Sequence, residues 1–417
     1  FGKPGTFASG DANGDGTVNL ADLLLVTRHF GKSLYVSPLI VTSTADDGSL
    51  GTLRYAIAHS NAGDTITFDP TVFAPGTSHA ITLNGSQLEI THNLTISGPG
   101  LANLSVSGNN AWRVFQIDSG VSASISGLTI TAGNAGTAYG GAINNSGTLN
   151  LSNCSITSST ATDGGGLYSI SGSANVTNCT FSNDTASGFG GGLFNDAGAT
   201  STITACTFLS NSAPNGGGLV DYGAALNLIN DTITQNSSTN GPGGGVNNIA
   251  GTLSVSDCTI VNNTSSKPGA GVHVLSGTGS INNSIVAQDS ITNSTTPSDL
   301  SGSFAGSNNL IGDGSGGLST SNHNLLGSTS SLLNPKLGSL SNNGGPTLTM
   351  MPLSGSPVID AGSNSLVPTG IATDQRGYAR IFNGTVDIGA VEFGASASVA
   401  AVLSTSGSAP VTMRRRG

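Results

Sequence analysis

Seven residues recur down the middle of this chain at nearly constant spacing: Leu128, Cys154, Cys179, Cys206, Asp231, Cys258 and Asn283 follow one another at 26, 25, 27, 25, 27 and 25 residues. A second series keeps step with them, the first side chain after a Gly pair or triplet, at Ala142, Leu167, Leu193, Leu219, Val246 and Val272. A chain that brings two residue classes back to the same phase with one period winds around an axis, and each turn buries its apolar side only against its neighbours.

The turn from Gly164 to Ser187 reads GGGLYSISGSANVTNCTFSNDTAS. It offers three strand-like pieces, around Leu167, around Ala174 and Val176, and around Cys179 and Phe181, with Ser, Gly and Asn between them. The pieces are too short for hairpins and carry no 3.6-residue period. The fold class this predicts is all-β: a right-handed, three-sided parallel β-helix. Turns about 4.8 Å apart stack equivalent positions directly, so small apolar residues fill a narrow core and Asn residues bond along the axis at corners. Asn183, Asn211 and Asn236, with Asn262 or Asn263 next, are the expected corner ladder. The 62 Gly and the 8% of charged residues then belong to a coil and not to a disordered chain, which would carry more charge and no register.

A net charge of −10 argues against nucleic acid as a partner. No run of 18 or more apolar residues occurs, so no transmembrane segment is expected. The chain begins without Met or a basic-then-apolar leader, which reads as processing or excision from a longer precursor. The four Cys form no CxxC pair and stand in one inward column, as small buried hydrophobes do. Neighbours such as Cys154 and Cys179 are near enough to bridge, so spacing leaves their redox state open.

The sharpest local motif lies near the start. Asp11, Asn13, Asp15, Asn19 and Asp22 set oxygens at positions 1, 3, 5, 9 and 12 of a twelve-residue loop, with Gly16 at the sharp turn and Val18 at the apolar position. With Thr17 they make up a calcium site, since a large hard cation takes six to eight oxygens. The loop runs into a helical pattern of Leu20, Leu23, Leu24, Thr27 and Phe30, ended by Gly31. These residues resemble a type I dockerin repeat. Dockerins carry two repeats, and Phe1-Gly2-Lys3 repeats Phe30-Gly31-Lys32, so the chain reads as starting in the tail of a first repeat. The resemblance would imply cohesin binding by a complete module.

Beyond a linker, Leu53, Ala56 and Ile57 share one face of a short helix, followed by the alternating stretch Asp64 to Phe68. That helix is the expected lid on the first turn, whose open edge would otherwise recruit another chain. The stretch from Asp46 to Phe68 resembles the N-terminal region of CSLREA-type bacterial surface proteins. Gly140-Gly141-Ala142-Ile143 and Phe208 to Asn211 are similar to the GGAI and FxxN repeats of chlamydial polymorphic outer-membrane proteins. Asn343 to Leu348, Ser356 to Gly362, Thr373 to Gly377 and Val386 to Glu392 resemble the choice-of-anchor region of the same families. These resemblances imply an exported, surface-associated parallel β-helix. The expected organisation is a partial calcium repeat at 1–36, a β-helix at 40–330 with its N-terminal cap around 46–68, a C-terminal capping region at 331–393, and an Ala/Ser-rich tail at 394–417. Asp374, Arg376, Arg380, Asp387 and Glu392 are expected to tie the C-terminal region together by forked ion pairs.

A polysaccharide-cleaving β-helix needs paired carboxylates, or an acidic calcium cluster with a basic residue. Between residues 120 and 300 the only Lys or Arg is Lys267, and the Asp residues scatter over different phases, Asp196 and Asp221 coming nearest to a pair. No catalytic residue is therefore assigned. Asp231, in the Cys column, is expected to be held by an Asn or Ser of a neighbouring turn, and His273 to be part of a strand. The function expected is a non-catalytic extracellular or cell-surface rod, calcium-dependent and adhesive toward a surface or glycan, with self-association into a homo-oligomer or fibre as a partner mode. The alternative is a polysaccharide lyase or glycoside hydrolase.

Overall fold

The computed structural model describes residues 39–292, 294 and 296–396. It also describes two short strands, Lys3–Pro4 and Thr17–Val18, which pair antiparallel. From Ile40 to Leu326 the chain coils into a parallel β-helix. Its walls hold nine strands (wall one, Leu88–Ile90 to Leu300–Ser301), ten (wall two, Ile40–Val41 to Thr278–Asn282) and eleven (wall three, His79–Thr82 to Leu325–Leu326). A narrow fourth sheet of six two-residue strands, Thr160–Ala161 to Ser290–Ile291, adds a side that the sequence pattern did not announce.

The turn beginning at Gly164 shows how this arises. Leu167–Ser169, Ser173–Thr177, Thr180–Ser182 and Thr185–Ala186 each pair in parallel with their equivalents one turn on. Strand alternation sends Ala174 and Val176 inward and leaves Asn175 and Thr177 outside. Inside, the Phe181 and Phe208 rings stack 4.7 Å apart at an interplanar angle of 3°, because parallel in-register strands place equal side chains above one another.

The corners explain both ladders and correct their phase. Before wall three, Asn153, Asn178, Ala205, Asn230, Asp257 and Asn283 adopt φ between 47° and 56°, a left-handed conformation that breaks the strand and that Asn tolerates best. The next amide then lacks a ladder carbonyl and takes a side chain from the following turn instead. Cys154 N–H donates to Cys179 Sγ at 3.4 Å, Cys179 to Cys206 Sγ at 3.3 Å, Cys206 to Asp231 Oδ1 at 2.7 Å, Asp231 to Cys258 Sγ at 3.4 Å, and Cys258 to Ser284 Oγ at 3.0 Å. The seventh member of the column is therefore Ser284, and Asn283 holds the left-handed position before it. The four thiols are free and buried.

The same device builds the next corner. Ser159 N–H donates to Asp184 Oδ1, Asp184 to Asn211, Asn211 to Asn236, Asn236 to Asn263 and Asn263 to Asp289, at 2.7 to 3.0 Å. Asp184 and Asn263 are its members, while Asn183 and Asn262 are the left-handed residues one step earlier. In wall one the column opens at Ile143, which pairs with Leu167, and not at Ala142.

Helix Leu53–Ala58 starts at Thr52, whose Oγ1 accepts from Tyr55 N–H, and buries Leu53, Ala56 and Ile57 in the main core. Arg54, paired with Asp46 at 2.8 Å, also holds the Ser86 and Gln87 carbonyls and so pins the helix to the coil. Past the last turn the chain runs back along the outer side of wall three. Thr207 Oγ1 donates to the Leu348 carbonyl at 2.7 Å, Thr232 Oγ1 to Gln375 Oε1 at 2.6 Å, and Ala390 N–H to Thr259 Oγ1 at 3.1 Å. Val358, Ile388 and Met350 close over Val261, Ile285 and Ala287 in a second apolar cluster.

Candidate ligand-binding groove on wall one

Wall-one strands from Leu88–Ile90 to Val272–Val274 are three residues long, so one side chain per turn points outward. The column reads Gln116, Asn144, Tyr168, Phe194, Val220, Asn247 and His273. Glycines lead into the strands from Ile143–Asn145 to Val272–Val274 because the turns touch there backbone to backbone: a Cβ at Gly165 would stand 2.5 Å from the Gly191 carbonyl oxygen. The shaved turns leave the outer face of wall one open as a groove.

Aromatic rings line it. Tyr139 stacks on Tyr168 at 4.7 Å between centroids, Tyr168 on Phe194 at 5.5 Å, and Phe194 on Tyr222 at 6.2 Å, all near parallel. The inner two rings are buried, whereas Tyr139 and Tyr222 are 44% and 46% exposed. Tyr168 Oη donates to Asp196, and Asp163 accepts from Phe189 N–H at 2.8 Å. Burial pushes the Tyr168 phenol and the Asp163 carboxyl above their ordinary values, with Asp196 adding to both shifts.

A hollow lies at each end of the ring stack. One, of about 610 Å³, is lined by Gln87, Glu89, Asn110, Trp112 and Arg113 among others. Arg113 is fully engaged there: its guanidinium donates to Gln87 Oε1 at 2.6 Å, Gln116 Oε1 at 3.1 Å and the Tyr139 carbonyl at 2.7 Å. Burial lowers its pKa. The other, of about 350 Å³, lies between Phe189, Tyr222, Asn247, Ile249, His273 and Leu275. It exists because the outward column shrinks from ring to Val220 and then to Asn247, so Tyr222 projects over a recess. Burial lowers the His273 pKa, which keeps the ring neutral near pH 7.

The residues singled out from the sequence distribute as follows. Asp11, Asn13, Asp15, Asn19 and Asp22 lie outside the described residues; Thr17 is described through its backbone alone, paired with Pro4. Asp196 and Asp221 do not form a pair. Asp221 is in register with Asn195, takes its Nδ2–H at 2.9 Å inside the wall-one corner, and is pushed up to about 6 by burial, while Asp196 stands outside on the Tyr168 hydroxyl. Asp231 is held by two backbone amides, Cys206 and Ile229, in place of the expected Asn or Ser side chain. His273 is a strand residue, as read, with one face in the second hollow.

Arg376 forks onto Asp374, with contacts of 2.7 and 2.9 Å, and Arg380 pairs with Glu392 at 2.7 Å. Both serve the segment on wall three. The aromatic stack was missed, although Tyr168 and Phe194 each follow a Leu of the second series and so share its period. Among the described residues no group of three His, Cys, Asp or Glu side chains is arranged to hold a metal, and no helix is long and apolar enough to cross a membrane.

Fold and face together define a parallel β-helix with an aromatic outer groove. No family model matches the chain, and none of the curated proteins does. Four solved chains match. One is a crystal structure of pectate lyase Pel9A, 16% identical, covering 85% of this chain and 96% of that one with a TM-score of 0.46.

Proposed function

We propose that this protein is a non-catalytic extracellular or cell-surface β-helix that adheres to glycan chains through wall one. The ring stack from Tyr139 to Tyr222 carries this reading. A sugar offers an apolar C–H face and hydroxyl edges; the negative face of an aromatic ring attracts the first, and scattered amides and carboxylates receive the second. The inner rings cover one another, so Tyr139 and Tyr222, 44% and 46% exposed at the two ends of the stack, offer the free faces, one beside each hollow, spaced along the axis for a polymer rather than enclosed for one small molecule. In this reading helix Leu53–Ala58 covers the first turn of a right-handed coil, and calcium held by Asp11, Asn13, Asp15, Thr17, Asn19 and Asp22 orders the N-terminal segment.

The alternative, a polysaccharide lyase or hydrolase, draws its support from Asp163 and Asp196, the two carboxylates beside the stack. A lyase base is hard to supply, since Lys267 is the only Lys or Arg between residues 120 and 300, and Arg113 in the first hollow spends its guanidinium on Gln87, Gln116 and the Tyr139 carbonyl. One experiment separates the two. Trp112, the single Trp, lines the first hollow and is 39% exposed, so its fluorescence reports on the groove. Adhesion predicts a saturable change with soluble polysaccharides and no reducing ends or unsaturated products after prolonged incubation. Turnover of any of them would replace the adhesive reading with the enzymatic one.

A further inference from the structure

The first hollow is a step in the coil. Residues 108–114 join wall three to wall one by a short corner, from Ser107 to Phe115, whereas the next turn takes the longer path 132–142 to Ile143. On that longer path Asn134 already bridges to Thr160, where the fourth sheet begins. The unequal corners leave between them the space of about 610 Å³. Three side chains that line it are exposed and uncommitted: among the described residues the Trp112 indole stacks on no other ring, and nothing hydrogen-bonds or pairs with the Glu89 carboxylate or the Asn110 side-chain amide. Glu89 stands in the outward column, in register with Gln116 of the next turn. Arg113 beside them donates to neutral acceptors alone, the Gln87 and Gln116 amide oxygens and the Tyr139 and Gly140 carbonyls.

We infer that this hollow is a subsite for one uncharged sugar ring of a glycan, its C–H face on Trp112, two adjacent hydroxyls on the Glu89 carboxylate and a further hydroxyl on Asn110. This rests on the glycan-binding reading above and narrows it to neutral chains. A carboxylate is an acceptor with two oxygens, so a pair of neighbouring hydroxyl donors suits it, and such bonds are charge-assisted. The exposed indole offers its negative ring face to the sugar's C–H groups. A uronate brings hydroxyls too, but also a second carboxylate with no proton to give. The charge of Arg113 offsets Glu89 alone, and its hydrogens are committed to the wall of the hollow, so that second carboxylate stands against Glu89 without a partner.

Calorimetry on the full chain with cellohexaose, xylohexaose, mannohexaose and hexagalacturonate tests the assignment. At least one neutral hexasaccharide binds about ten-fold or more tightly than hexagalacturonate. Trp112→Ala weakens that neutral ligand about ten-fold, and Glu89→Gln weakens it while strengthening hexagalacturonate. Both side chains are exposed, so both variants keep the core intact. Unchanged affinity for the neutral ligand in Trp112→Ala or in Glu89→Gln, or a preference of the unaltered protein for hexagalacturonate, overturns the neutral subsite. If Tyr222→Ala alone weakens binding, the subsite falls and the glycan-binding groove stands; if none of the four sugars binds, both fall.

Discussion

At the scale of a residue, the coil depends on amides turned out of the β ladder and caught by the next turn. Asp231 illustrates the cost. Its carboxylate accepts from Cys206 and Ile229 at 2.7 and 2.9 Å in an interior where burial pushes its pKa from 3.8 up to about 8. Above pH 3.8 an unfolded chain releases this proton while the folded one keeps it, so this group lowers stability as pH rises, until about 8. Asp231→Asn should flatten that part of the dependence, read as melting temperature against pH. Asp231→Ala should cost about 1–3 kcal/mol for each amide left bare. The sequence placed Asp231 inside correctly but not its partners. Side-chain to backbone bonds between turns leave no residue-type signature, and Asn suits both the left-handed corner and the acceptor position after it. That double suitability is why Asn283 and Asn183 stood in for Ser284 and Asp184.

At the scale of an element, the segment on wall three behaves as a strap. Gln375 fills a buried slot: its amide donates to the Cys206 carbonyl, Thr207 Oγ1 and Thr347 Oγ1 and accepts from Thr232 Oγ1. Arg380, 1% exposed, joins Glu392 to Asn230 Oδ1. Arg380→Ala strands the Glu392 carboxylate and should destabilise by about 3–5 kcal/mol, since breaking a buried pair leaves a lone charge. Gln375→Ala should loosen the strap more locally. Faster hydrogen exchange at 346–390, with walls one and two unchanged, is the expected result; uniform exchange over the whole chain would mean that strap and coil open together. The charged residues of this segment were visible in the sequence as a structural group. Their seat on wall three was not, because Gln375 reaches residues more than 140 positions earlier, and neither side shares a period with the other.

At the scale of the molecule, buried carboxylates act together. Burial raises Asp184, Asp289 and Asp299 as it raises Asp231, Asp299 to about 8. All four hold protons in the folded state that the unfolded chain gives up, so stability should decline from about pH 4 toward pH 8, with the highest melting temperature on the acid side. A melting temperature that climbs over that range would refute the assignment of burial as the dominant cause. The proposed calcium site makes a separate prediction. EDTA should increase exchange and proteolysis within residues 9 to 33 while the β-sheet circular dichroism stays constant, because the coil buries its core turn on turn without that loop. Loss of the β signal on chelation would make calcium part of the coil itself.

The chain alone determined that it coils, and near which positions each turn returns. A stacked fold must repeat its burial pattern at one period, and that repetition is local enough to read. It also disclosed the inward Cys column and the scarcity of cationic side chains in the coil. Tertiary structure decided the one-residue phase of each corner, the fourth narrow sheet, the strap and the groove. These depend on backbone handedness at single residues and on side chains from turns about 25 residues apart meeting in space, as Tyr139, Tyr168, Phe194 and Tyr222 do. Spacing fixes which side chains can meet; only the folded backbone fixes which way they face.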